Sequence, residues 1–146
     1  MLSHNSRQFV LFYICLLLFV LLGMRICLQP ANTETVIEGF LAAQNAGDVN
    51  AELAFFSEDA VITFIPPLIP GDDGIFSGKR QIRRWFQQMA RENGFCETSN
   101  VNVDGEQYTA LLTWYDDGLK EIGLDHLDCI WVATVRNGKI QGYTST

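Results

Sequence analysis

Two dipeptides, Asp104-Gly105 and Asn137-Gly138, constrain this chain more than any other feature, because alternating polar and apolar residues flank both. Such pairs accept the positive φ values of tight turns whose twist matches paired strands, so each marks a β-hairpin. A two-residue turn at Asp104-Gly105 sets Val103 opposite Glu106, Val101 opposite Tyr108, Glu97 opposite Leu112 and Phe95 opposite Trp114. The other face holds Cys96, Thr98, Asn100, Asn102, Thr109 and Thr113, so the first set is expected to point inward. At the second turn Val135 meets Ile140, Ala133 meets Gly142 and Trp131 meets Thr144. Leu127, Cys129, Trp131, Ala133 and Val135 then form a uniformly apolar inner face. The outer face, with His126, Asp128, Ile130, Val132, Thr134 and Tyr143, is too apolar for plain solvent and too polar for a core, which predicts a homodimer. Cys96 and Cys129 start on opposite faces in this register, which predicts free thiols.

Upstream of the hairpins the pattern is helical. Asn32 to Gly47 reads as a helix, with Thr35 and Glu38 as a capping box and Val36, Ile37, Phe40, Leu41 and Gln44 on one face. Asp48 caps a shorter helix through Phe56, and Ala60 to Ile65 is a strand ending at Pro66-Pro67. The following loop is apolar at Leu68 and Ile69, as expected of a loop that covers something. Ser77 caps a third helix to about Asn93, with Ile82, Trp85, Phe86 and Met89 on its inner face. Arg80, Arg84 and Arg91 on its other face read as a solvated stripe, with contact to anionic lipid as the alternative.

The N-terminal run from Phe9 to Met24 is uncharged and apolar, and with Arg25 snorkelling it extends to Leu28 as a 20-residue stretch. A cleaved signal needs small residues before its cut, and Ala31 with Gln29 is a poor match, so an uncleaved single-pass anchor over residues 9–28 is favoured. The expected organisation is therefore an anchor in residues 1–29 and a globular domain in 30–146. Arg7 and the amino terminus face only Arg25 on the other side, which places the domain outside the cytoplasm. After Asn32 the chain has eight basic and seventeen acidic residues, a net charge of −9 that argues against nucleic acid as a partner.

Helix, helix, strand, loop, helix and four strands, carrying AAQNAGD, FFSEDAVITF, FSGKRQIRRWF and VATVRNGKI in that order, resemble the SnoaL-like group of the nuclear transport factor 2-like superfamily. The resemblance implies an α+β fold: a cone-shaped, curved antiparallel sheet wrapped around three helices and enclosing an apolar pocket, here behind an N-terminal transmembrane helix. It also implies pairing through the outer sheet face. Relatives include ketosteroid isomerases, polyketide cyclases and limonene epoxide hydrolases alongside members that only bind, and fold does not choose between them.

Isomerases of the superfamily use a tyrosine on the first helix, an aspartate after the first strand and a protonated aspartic acid on a late strand. Matching the segments puts Phe40, Phe64 and Trp131 at or near these positions, and none of them can accept a proton. Where the epoxide hydrolases carry an Asp-Arg-Asp arrangement, the comparable strand has Phe95 and Glu97 and no arginine. His4 and His126 lie on either side of the apolar run and offer no shared metal site, and no cofactor motif occurs. The expected role is binding of a small apolar molecule by Phe40, Phe64, Trp85, Trp114 and Trp131, or a protein interaction. The alternative is an enzyme with Glu97 as a single general acid-base, inward in an apolar wall unless a bulge turns it out.

Overall fold

The computed structural model describes residues 32–67 and 73–146, so the expected anchor, the boundary at residues 29 and 30, and loop residues Leu68 and Ile69 lie outside the described residues. Among the described residues no helix is long and apolar enough to cross a membrane. Helix α1 spans Thr33–Asn45, and its cap is Asn32 rather than the expected Thr35: the Asn32 side chain accepts from the Thr35 N–H at 2.7 Å. Asp48 caps α2, Val49–Ala54, by accepting from the N–H groups of Asn50 and Ala51. Strand β1, Phe56–Phe64, starts four residues earlier than expected. Strand β2, Ile75–Ser77, leads into α3, Gly78–Arg91, where Ile82, Trp85, Phe86 and Met89 are buried as their spacing predicts. Arg80, Arg84 and Arg91 are exposed along the opposite face.

Strands β3, Phe95–Asp104, and β4, Gln107–Tyr115, form the first hairpin. A fourth short helix, α4, Asp117–Glu121, connects them to β5, Leu127–Arg136, and β6, Lys139–Ser145. The six strands lie in the order β2-β1-β6-β5-β4-β3. The sheet is curved and open but mixed, which corrects the antiparallel expectation: β1 and β6 run parallel, with Ile62 beside Tyr143 and Phe64 beside Ser145. Strands β3 and β4, and β5 and β6, pair antiparallel across tight turns, and β1–β2 and β4–β5 do so across longer links, whereas β1 reaches β6 only after the helices and hairpins intervene. Helix α1 packs on β3 and α3 on β1 and β2, with Phe40, Phe56 and Phe86 at their centre. The Phe40 and Phe56 rings meet edge-on at 5.3 Å, and Phe56 lies 5.5 Å from Phe86.

Both hairpins form, yet both registers change along the strands. Asn137 and Gly138 have φ values of 51° and 69°, as the expected turn requires, and Val135 pairs with Ile140. One extra residue, Gln141, then shifts the pairing so that Ala133 faces Tyr143 and Trp131 faces Ser145. Tyr143, expected on the outer face, is therefore inward and buried. In the first hairpin the turn is Gly105-Glu106, one residue later than expected. Asn100 and Val101 together oppose a single residue of β4, with Asn100 at φ 52°. Beyond that bulge the faces exchange: Cys96 pairs with Trp114 and is buried, while Glu97 pairs with Thr113 and points outward. Phe95, Val101 and Val103, also expected inward, are exposed along this edge strand.

Gly142 is the residue that the parallel contact requires. A Cβ there would overlap the Val61 carbonyl oxygen, a backbone atom that cannot move aside without disturbing β1. Gly142→Ala is expected to destabilise the domain by about 1–3 kcal/mol, the usual range for overpacking, as measured by urea denaturation. An unchanged midpoint would show that β1 and β6 are not this close.

Candidate functional site

The far ends of β1, β4 and β6 and the start of β5, together with α1 and α3, surround a cavity of about 250 Å³. Among the described residues six aromatic rings line it: Phe40, Phe64, Trp85, Trp114, Trp131 and Tyr143. The five residues named from sequence as ligand contacts are thus brought to one wall, and the bulge at Gln141 adds the sixth. Each ring is positioned by its element. Phe40 is on the buried face of α1 and lies 6.2 Å from Trp131 in a stacked arrangement. Trp85 on α3 meets Phe64 on β1 at 4.9 Å, and Trp131 meets Tyr143 at 5.3 Å. Trp114 is held by its indole N–H, which donates to Asp116 Oδ2 at 2.6 Å. Asp116 also accepts from the Leu119 N–H, so one carboxylate caps α4 and fixes a cavity wall.

Gln44, Cys129 and Ser145 are the polar members deeper in the lining, and Asp128 stands at the rim with its side chain half exposed. Burial raises the pKa of the Cys129 thiol, an effect partly opposed by the Ser145 hydroxyl. Burial also raises that of Tyr143, while the nearby Trp85 indole N–H opposes it. Both groups therefore stay neutral at physiological pH. Asp128 accepts from Thr113 Oγ1 at 2.7 Å and lies 3.8 Å from His126 Nε2. Cys96 and Cys129 are both free, but not because they face opposite sides as expected: both face the same side of the sheet, and β4 lies between their strands. Among the described residues no group of three or more His, Cys, Asp and Glu side chains is arranged to hold a metal ion.

Glu97 is not part of this cavity. The bulge at Asn100 turns it to the outer face, beside Thr113, and removes the geometric basis for its use as an acid-base group in the apolar wall. The positions matched to the isomerase tyrosine, base and acid, respectively Phe40, Phe64 and Trp131, are all buried in the lining, where they offer surface and no proton acceptor.

The most deeply buried carboxyl among the described residues lies elsewhere, and no pattern in the sequence marks it. Glu52 on α2 is 2% exposed, and its Oε2 has no hydrogen-bond partner. Desolvation first, and the charge of Asp48 second, raise its pKa from 4.5 to about 7. Its charge in turn helps to raise Cys96, pushed up to about 12 chiefly by burial, and Tyr143. A carboxyl with a raised folded-state pKa stabilises the fold below its unfolded value, and this contribution is lost as pH rises through the folded one. Domain stability is expected to fall by about 3 kcal/mol between pH 4.5 and 7.5 from this group. Glu52→Gln should flatten that slope in denaturation measured across the range. An unaltered slope would place the titrating group elsewhere.

Comparison with known proteins follows the same geometry. The family model of the SnoaL-like domain matches residues 37–143. No curated protein matches the chain. Among solved structures, SalBIII, an epoxide hydrolase/cyclase-like enzyme in pyran ring formation in polyether salinomycin, superposes with a TM-score of 0.65 and 21% identity, over 77% of this chain and 88% of its own. A computationally designed 17-OHP binder gives 0.65 and 14%, over 76% and 86%. An NTF2-like protein of unknown function from Cytophaga hutchinsonii gives 0.64 and 12%, over 82% and 92%. At these identities the likeness is one of fold.

Proposed function

We propose that this chain, which belongs to the SnoaL-like domain family of the nuclear transport factor 2-like superfamily, binds a small apolar molecule and performs no isomerase-type proton transfer. The observation that carries this reading is the cavity of about 250 Å³ walled by six aromatic rings, with hydrocarbon or indole where the isomerases hold acid and base. Ligand sites for drug-sized molecules run to about 300–1,000 Å³, so the ligand is small. A designed binder of the same fold supports binding without chemistry as a use of this architecture. All three tryptophans of the chain line the cavity, so their emission reports its occupancy. Titration with indane should shift that emission saturably, and Cys129→Phe, which fills the cavity, should abolish the shift. Emission that never responds to indane would remove the binding role.

The reading extends to the chain's address. The 20-residue apolar stretch ending at Leu28, with its poor cleavage site, supports a single-pass anchor with the domain outside the cytoplasm. The full-length chain should stay with membranes through alkaline carbonate washing. A shorter, soluble mature form would replace the anchor with a cleaved signal.

The outer sheet face supports a homodimer. With Tyr143 turned inward, the face consists of Ile130, 55% exposed, Val61, 39% exposed, and the half-buried Leu111 and Val132 between threonines. Leu111 and Ile130 pair directly, which makes one contiguous apolar strip across β4 and β5. Val132→Arg should leave the fold intact and convert dimers to monomers in light scattering. A monomeric parent protein at high concentration would require a different partner for this face.

A further inference from the structure

We propose that the Tyr143 hydroxyl donates a hydrogen bond to the cavity's ligand, and that this ligand is an uncharged aromatic molecule bearing an oxygen acceptor, such as a ketone or ether. The proposal rests on the binding role above and specifies its chemistry. The first ground is position. The bulge at Gln141 rotates Tyr143 into the cavity, where its ring is fixed by Phe40 at 6.4 Å, Phe56 and Phe64 at 6.3 and 6.1 Å, and Trp131 at 5.3 Å. A side chain held on several sides keeps its hydroxyl at one point of the wall, which lowers the ordering cost when a ligand binds.

The second ground is the state of the hydroxyl. The Trp85 indole N–H approaches the oxygen and takes up acceptor capacity. Among the described residues the hydrogen-bonding contact shown for this hydroxyl is that donor, so the phenolic proton is left to the cavity. Burial keeps that proton in place at physiological pH, so the group is a donor and not an anion. A donor left unpaired in an apolar cavity costs stability that a ligand oxygen would restore.

The third ground is charge. Among the described residues no lysine or arginine lines the cavity, so a carboxylate or phosphate would find no counter-ion from them. Asp128 contributes to the lining at the rim, but its side chain is half exposed and turned to Thr113 on the outer face, so it supplies no cationic group either. Aromatic walls favour a flat ring, since stacked and edge-on contacts add to its burial. A neutral ring with one acceptor matches both the walls and Tyr143.

The test compares 1-indanone with indane, which have the same shape and differ by the carbonyl oxygen. Affinities for the full-length chain in nanodiscs are measured by calorimetry against empty nanodiscs. One neutral hydrogen bond predicts that 1-indanone binds about five- to tenfold more tightly than indane. Tyr143→Phe, which removes only the hydroxyl, should make the two affinities equal. The carbonyl stretch of isotopically labelled 1-indanone should fall to lower frequency in the parent complex and not in Tyr143→Phe. If that variant does not fold, the parent spectrum decides, and a carbonyl frequency equal to that in hydrocarbon solvent overturns the proposal. Equal affinity for both compounds in the parent overturns the role of Tyr143 while the cavity keeps its binding role. Failure of both compounds to bind overturns the two together.

Discussion

A β-strand shows alternate residues to opposite faces, so one inserted residue reverses every side chain beyond it. The cavity of this domain depends on two such reversals. At Gln141 the shift brings Tyr143 beneath the sheet and sets Ser145 opposite Trp131. At Asn100 and Val101 it brings Cys96 beneath the sheet and sends Glu97 out. Without the first, the cavity would lack the hydroxyl on its wall. Without the second, a carboxylate would stand beside Leu112 and Trp114, and the cavity would have a general acid-base group. The same backbone device therefore supplies a neutral donor and withholds an ionisable one.

Local patterns made much of the architecture legible. The buried face of α3 follows from the spacing of Ile82, Trp85, Phe86 and Met89, because one stripe of a helix must leave water. Asp48 could be read as a cap because its carboxylate satisfies N–H groups two and three residues on. Phe40, Phe64, Trp85, Trp114 and Trp131 could be gathered from the order of segments together with strand parity, and all five line one cavity. What escaped is nonlocal. The parallel pairing of β1 with β6 joins strands about 80 positions apart, and nothing within either strand encodes its partner. Glu52 follows Ala51 and precedes Leu53 on a short helix, and only the packing of the finished fold buries it.

The bulges lie between these cases, since each left a trace. Gly142 stands inside a strand, and an isolated glycine in a strand marks a bulge or a close backbone approach. Here it marks both. Asn100 is among the residue types that tolerate positive φ, and Asn93 and Asn137 do the same at turns. Strict alternation applied from the turn outward ignores such signals, and its error grows beyond the first irregularity. Glu97 and Tyr143 were misplaced for that reason, whereas Val135 and Ile140, next to their turn, were not.

The domain forgoes stability where its cavity lies. Filling a space lined by rings with side chains would recover contact energy, at roughly 24 cal/mol per Å³ in the cavities of mutant cores. Glu52 adds an unpaired carboxyl that is costly to ionise, and its field reaches Tyr143 in the wall. Folded domains have only about 5–15 kcal/mol to spare, so such departures from a well-filled core are maintained where they serve something else. On the binding role proposed above, a cavity with neutral hydrogen-bonding groups and three tryptophans would exchange one small occupant for another. That role would make shape and a single acceptor the terms of selection, in contrast to sites that choose ligands through charge.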